Sequence, residues 1–278
     1  MAVEGDKYRS YLVGEGEKDT QWRHGAPPTY DLVNKLFEEG RTRARESLAS
    51  SALVFLTTSL TMLLSHKTRL GDFKSINPAK FKFFVNGRKG LTGEETLALG
   101  SYNALLQTSL PPEFQYYKAD AETFESSHDV FRTAFPRGFA WEVLRVYSGP
   151  PAIAFKYRHW GYMEGPYKGH APTGELVEFT GVAVLKVDEQ LRAEEVEIYY
   201  EPGELFAGLL KGQVISAHLL LRRSCLAFSE VGERSAVNLS AFFHRRRRVA
   251  SKSPAHVDLA VVGFTDGGGR PSNDVSNS

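Results

Sequence analysis

The chain has 278 residues, 42% apolar and 24% charged, with a formal net charge of +1. That is globular composition with length for one large domain or two small ones, and the near-neutral balance removes any global bias toward nucleic acid. A single cysteine, Cys225, excludes an internal disulfide and a Cys/His zinc site, and it suits a reducing compartment.

The first 19 residues are polar and acidic and lack the apolar core of a signal peptide, so a cytoplasmic location is expected. Residues 1–28, rich in Gly and ending in Pro27 and Pro28, read as an arm that packs through Tyr8, Tyr11, Leu12 and Trp22. A short helix follows, with Thr29 as its N-cap, Val33, Leu36 and Phe37 on one face, and Gly40 at its end. Residues 47–65 carry no charge over 19 positions, the lower limit for a membrane span. Ser and Thr supply eight of those 19, so the run is read as a buried or lid helix and no membrane partner is expected.

The aromatic run Phe81–Val85 enters a turn at Asn86-Gly87. Thr92 and Glu95 form a capping box that opens a helix over Leu97, Leu99, Leu105 and Leu106, stopped by Pro111 and Pro112. Residues 120–135 are helical in pattern, with Phe124, His128, Phe131 and Phe135 on one stripe. Residues 139–143 alternate as a strand carrying Trp141.

Ile153–Leu185 is the densest stretch. In its first run Ile153, Phe155, Tyr157 and His159 share a face. A loop, Gly161–Gly174, follows with four glycines and two prolines. The second run, Glu175–Val187, is a long strand with Glu178 set among apolar residues. Ala193–Tyr200 is a further strand, with Val196, Ile198 and Tyr200 on one face. Glu201-Pro-Gly203 then turns into a closing helix.

Beyond Gly212 the patterning weakens. Residues 213–278 carry 9 Lys/Arg against 5 Asp/Glu, where residues 1–212 carry 25 against 28. The segment reads as a disordered basic tail. Its Arg245–Arg248 run is a solvated charge run or, alternatively, a nuclear-localisation patch.

No phosphate loop, dinucleotide fingerprint or nucleophile elbow is present, and no His spacing supports a metal. No cofactor is expected. What the residues support is acid/base chemistry in an apolar cavity, from His128, His159, Glu178, Tyr200 and Glu201. In an apolar pocket the pKa of a His or a carboxylate can be moved toward neutrality, so that it serves as general acid or base.

Six blocks carry a resemblance: Lys7–Tyr11, Thr20–Pro28, Val33–Thr42, Phe135–Ala140, Tyr157–Pro166 and Lys168–Glu175. They resemble, in the same order, the plant pathogen-related protein family, and the likeness covers residues 5–43 and 65–212. That family is SnoaL-like, of the nuclear transport factor two-like superfamily. The resemblance implies an α+β fold: a cone-shaped, curved antiparallel sheet wrapped by helices, spanning residues 29–212, with an irregular arm before it and a tail after it. It implies a cavity, for which Trp141, Phe155, Tyr157 and Tyr200 are the expected lining, and it makes a homodimer an expected partner. Two stretches depart from the family pattern, the charge-free 47–65 and the extension beyond Gly212. Both read as altered gene-model or splice segments joined to a family core.

Three functions remain open: a defence-associated protein that binds an apolar small molecule, an acid/base enzyme of the cyclase or isomerase type, and a protein-interaction module. For the enzyme, His159 or His128 is the expected base and Glu201 or Glu178 its partner.

Overall fold

The computed structural model describes residues 6, 8, 9, 12, 14–42 and 65–215. The 47–64 part of the charge-free run, Tyr11, Cys225 and the Arg245–Arg248 run lie outside the described residues.

Among the described residues there are six strands and five α-helices. In chain order they are α1 (Asp31–Gly40), β1 (Lys82–Val85), β2 (Leu91–Thr92), α2 (Gly93–Leu99), α3 (Ser101–Leu106), α4 (Phe124–Ala134), β3 (Ala140–Val146), β4 (Ala152–Tyr162), β5 (Leu176–Val187), β6 (Ala193–Tyr200) and α5 (Pro202–Leu209). One sheet holds all six strands in the order β2-β1-β6-β5-β4-β3. It is curved and unclosed, with helices on it, an α+β architecture. Irregular register at Val143/Arg145 and again at Lys186/Val187 adds local twist.

The expected antiparallel sheet needs one correction, because β1 runs parallel to β6 while the other four pairs are antiparallel. β1 is separated from β6 by over a hundred residues, so no hairpin dictates its direction. Asn86 (φ 50°) and Gly87 (φ 71°) form the turn that brings β2 back along β1.

Helix ends follow local chemistry with two departures. Thr29 is not the N-cap of α1; Tyr30 stands there and makes no side-chain cap bond. The helix opened by the Thr92–Glu95 capping box is broken in two, because Gly100 takes φ 87° between α2 and α3. A second capping box, Thr123 with Ser126, opens α4.

Helices cover the inner face of the sheet, and α1 covers the part of the outer face at β3 and β4. On the outer face Phe37 of α1 stacks on Trp160 of β4, ring centroids 6.0 Å apart. Gly40 permits this approach: a Cβ there would stand 2.5 Å from Trp160 Nε1. Arg158 donates to the Gly40 carbonyl at 3.0 Å and tightens the same junction. The N-terminal arm is pinned by buried charge. Arg9 pairs with Asp6 and donates to Asn34 of α1, and Lys67 Nζ contacts both carboxylate oxygens of Glu17 at 2.6–2.7 Å. The glycine-rich loop after β4 is held by residues past 212, with Ile215 N donating to Gly169 O and Ala171 N donating to Gln213 O. Among the described residues no helix is long and apolar enough to cross a membrane.

Candidate functional site

The inner face of the sheet and the helices over it enclose a cavity of about 100 Å³. Strand alternation builds its floor. Phe155, Tyr157 and His159 come from β4, Phe179, Ala183 and Leu185 from β5, and Val196, Ile198 and Tyr200 from β6. Leu105 and Leu106 of α3, Phe131 of α4 and Leu205 of α5 form the roof. Trp141 of β3 closes one side, its ring 5.9 Å from that of Tyr157. No Asp, Glu, Lys or Arg lines the space.

All four residues expected to line a pocket, Trp141, Phe155, Tyr157 and Tyr200, do line it. The five acid/base candidates are dispersed: His159 and Tyr200 face the cavity and the other three do not. The Nδ1 of His159 lies 2.8 Å from the Ala140 carbonyl, and that oxygen can only accept, so Nδ1 carries the proton. Burial lowers the His159 pKa from the ordinary 6.5 to about 3, the bond to Ala140 opposing it. The ring is therefore neutral at physiological pH.

His128 sits behind the wall. Its Nδ1 contacts the Phe124 carbonyl at 2.6 Å, and its ring packs against Phe124 and Tyr102. Glu178 and Glu201 require correction, since neither reaches the cavity. Glu178 follows Val177 and precedes Phe179, both inward, so alternation turns it outward, where it pairs with Arg158 at 2.6 Å. Glu201 is exposed and caps α5, accepting from Gly203 N at 2.8 Å. His159 and the two glutamates therefore form no acid/base pair.

Gly181 and Arg88 frame the site and were not singled out in the sequence, and Tyr200 acts together with Arg88. Gly181 lies across from Tyr157, and a Cβ there would be 2.4 Å from the Tyr157 hydroxyl, so the bare backbone makes room for the phenol ring. Arg88 donates to the carbonyls of Val85, Ala104 and Leu105. Tyr200 donates to the Leu105 carbonyl at 3.1 Å. Together the last two fasten the C-terminal end of α3, a negative dipole end, over the cavity. Burial pushes the Tyr200 hydroxyl pKa up, Arg88 opposing, and it pushes Tyr157 up further, reinforced by Tyr200. Both stay protonated. A glycine inside a strand pattern was the available signal for Gly181; nothing local marked Arg88.

Among the described residues no cluster of three or more His, Cys, Asp or Glu is placed to hold a metal ion. His170 instead donates from Nδ1 to the Gly212 carbonyl at 2.9 Å, latching the loop to the segment after α5.

The geometry defines a class: an α+β protein whose curved sheet and helices enclose an uncharged, aromatic-lined cavity. The chain belongs to the pathogen-related protein family. It is 54% identical to the pathogen-related protein of Hordeum vulgare over 216 residues, 77% of this chain and 92% of the relative. No family model matches it. Solved structures with some likeness include a SnoaL-like protein from Jannaschia sp. CCS1, 13% identical over 60% of this chain and 97% of that one, with a TM-score of 0.36. A second is a LEH-like epoxide hydrolase of M. tuberculosis, 16% identical over 59% of this chain and 90% of that one, with a TM-score of 0.32.

Proposed function

We propose that this protein binds a small, neutral, mainly apolar molecule in the cavity under α3, α4 and α5. One observation carries the reading: the lining is built from aromatic and aliphatic side chains around a few polar atoms, with no charged group. An ion entering this space would lose its hydration and gain no counter-charge, so neutral molecules are favoured. Proton-transfer catalysis has less support, because His159 is held neutral with its Nδ1 proton on a backbone carbonyl and no carboxylate faces it. The name of the barley relative favours a role connected with pathogen attack.

A thermal-shift screen of neutral and charged single-ring compounds tests the binding reading. Neutral rings are expected to raise Tm with concentration, since a ligand of the native state stabilises it by mass action. Their charged analogues should not. Ala183→Leu, which fills the floor of the cavity, should remove the response. A screen in which no neutral ring raises Tm, or in which charged analogues do so equally, contradicts the proposal.

A further inference from the structure

The cavity has to open before anything enters it. Apart from Leu105, His159 and Tyr200, which are partly exposed, every side chain that lines it is buried. Its floor is one hydrogen-bonded sheet, so a passage opens by moving a helix of the roof. The three roof helices are held unequally. Arg88 and Tyr200 donate to carbonyls at the end of α3, and the Tyr117 hydroxyl donates to Asn103 of the same helix. On α4, Arg23 lies over the Phe124 ring at 3.7 Å, and Gly165 N donates to the Ala134 carbonyl at 3.1 Å. By contrast, no described residue outside α5 and its Glu201 cap makes a side-chain hydrogen bond or ion pair to α5. With Gly203 and Gly208 among its eight residues, it is a weak helix on its own. Apolar packing seats it: Leu205, Phe206 and Leu209 are buried, and the Phe206 ring packs against those of Tyr116 and Tyr167.

The chain that leaves α5 supplies the missing tie. Residues 212–215 run antiparallel along 169–171. Ala171 N donates to the Gln213 carbonyl at 2.9 Å, Ile215 N to the Gly169 carbonyl at 2.7 Å, and His170 Nδ1 to the Gly212 carbonyl at 2.9 Å. Gly212 lets the two segments meet, since a Cβ there would stand 1.9 Å from the Ala171 carbonyl oxygen. The same loop carries Tyr167, joined to His170 by two backbone hydrogen bonds, so the pairing also fixes the ring on which Phe206 rests.

We propose that α5 is the gate of the cavity and that residues 212–215 are its clasp. When the clasp lets go of the 169–171 loop, α5 swings out about the Glu201-Pro202 junction, carries Leu205 from the roof and admits the ligand. This rests on the binding reading above and adds its route of entry. A gate of this kind multiplies the rates of entry and exit by the same factor, the population of the open state, so that factor cancels from the affinity while the closed state predominates.

The test compares the full chain with Gly212→Ala, whose methyl group parts the clasp, in two measurements. Should Gly212→Ala not fold, His170→Ala, which removes one clasp bond, takes its place. In native-state hydrogen exchange the amides of Phe206, Leu209 and Leu210 are expected to be less protected than that of Phe131 on α4. The clasp variant should speed these three about fivefold or more, the scale of one net hydrogen bond, and leave Phe131 and Ala183 unchanged. The second probe is xenon, an atom that apolar cavities take up, followed through the methyl signals of Ala183 and Leu185. Its exchange in and out should quicken by a like factor in the variant, with its affinity kept within about twofold. Amides of α5 that exchange only together with Phe131 and Ala183, in both proteins, overturn the gate. So does xenon that enters both proteins at one rate, and the binding reading then stands. Xenon that enters neither protein overturns the binding reading and the gate with it.

Discussion

His159 is the residue on which the cavity's chemistry turns, and its neutrality has a consequence for stability. Its pKa is depressed from 6.5 to about 3 in the folded chain. Below about pH 6.5 the unfolded chain takes up a proton that the folded chain refuses until about pH 3. Stability attributable to this group is therefore complete above pH 6.5 and is lost on acidification through that window, at up to about 1.4 kcal/mol per pH unit. His159→Gln removes the group. Urea unfolding between pH 7 and pH 4 should show the variant losing less stability than the unsubstituted protein; parallel losses would contradict it. The faces of Tyr157, His159 and Tyr200 were legible in the sequence, because period-two alternation decides them locally. Glu178 and Glu201 were misplaced for different reasons. Alternation alone already turned Glu178 away from Phe179, and its apolar neighbours obscured that. Glu201 was spent on capping α5, a role that only the helix start at Pro202 discloses.

At the scale of elements, strands β4 to β6 and helices α1 and α4 follow from periodicity and caps. The break at Gly100 and the parallel β1–β6 pairing do not, since the first depends on a positive φ and the second on a contact between distant parts of the chain. The seat of α1 on β4 shows how one missing side chain sets a junction. Gly40→Ala should be destabilising although Ala is the better helix former by about 1 kcal/mol. Its Cβ would meet the fully buried Trp160 indole at 2.5 Å, and overpacking of that kind costs about 1–3 kcal/mol. Gly71→Ala, where nothing stands within 4 Å, is the control and should be near neutral. A denaturation midpoint for Gly40→Ala at or above that of the unsubstituted protein would show that α1 does not sit against Trp160 as described.

On the scale of the whole molecule, the two faces of one sheet do different work. On the outer face α1 covers the β4 side, backed by an arm whose buried Lys67–Glu17 pair and Arg9–Asn34 bond join positions far apart in the chain. Pairing of this kind cannot be read from local pattern, and neither can the fastening of α3 by Arg88 and Tyr200. The inner face is roofed at helix distance rather than filled, and a space remains between Ala183 of β5 and Leu105 of α3, both of which line it. Methyl-detected NMR of the full chain titrated with toluene shows whether this space takes a ligand. Saturable shifts are expected, centred on the methyl groups of Leu105, Ala183, Leu185 and Ile198, and absent in Ala183→Leu. Cavity methyl signals that stay in place at saturating toluene, or that shift equally in Ala183→Leu, would contradict it.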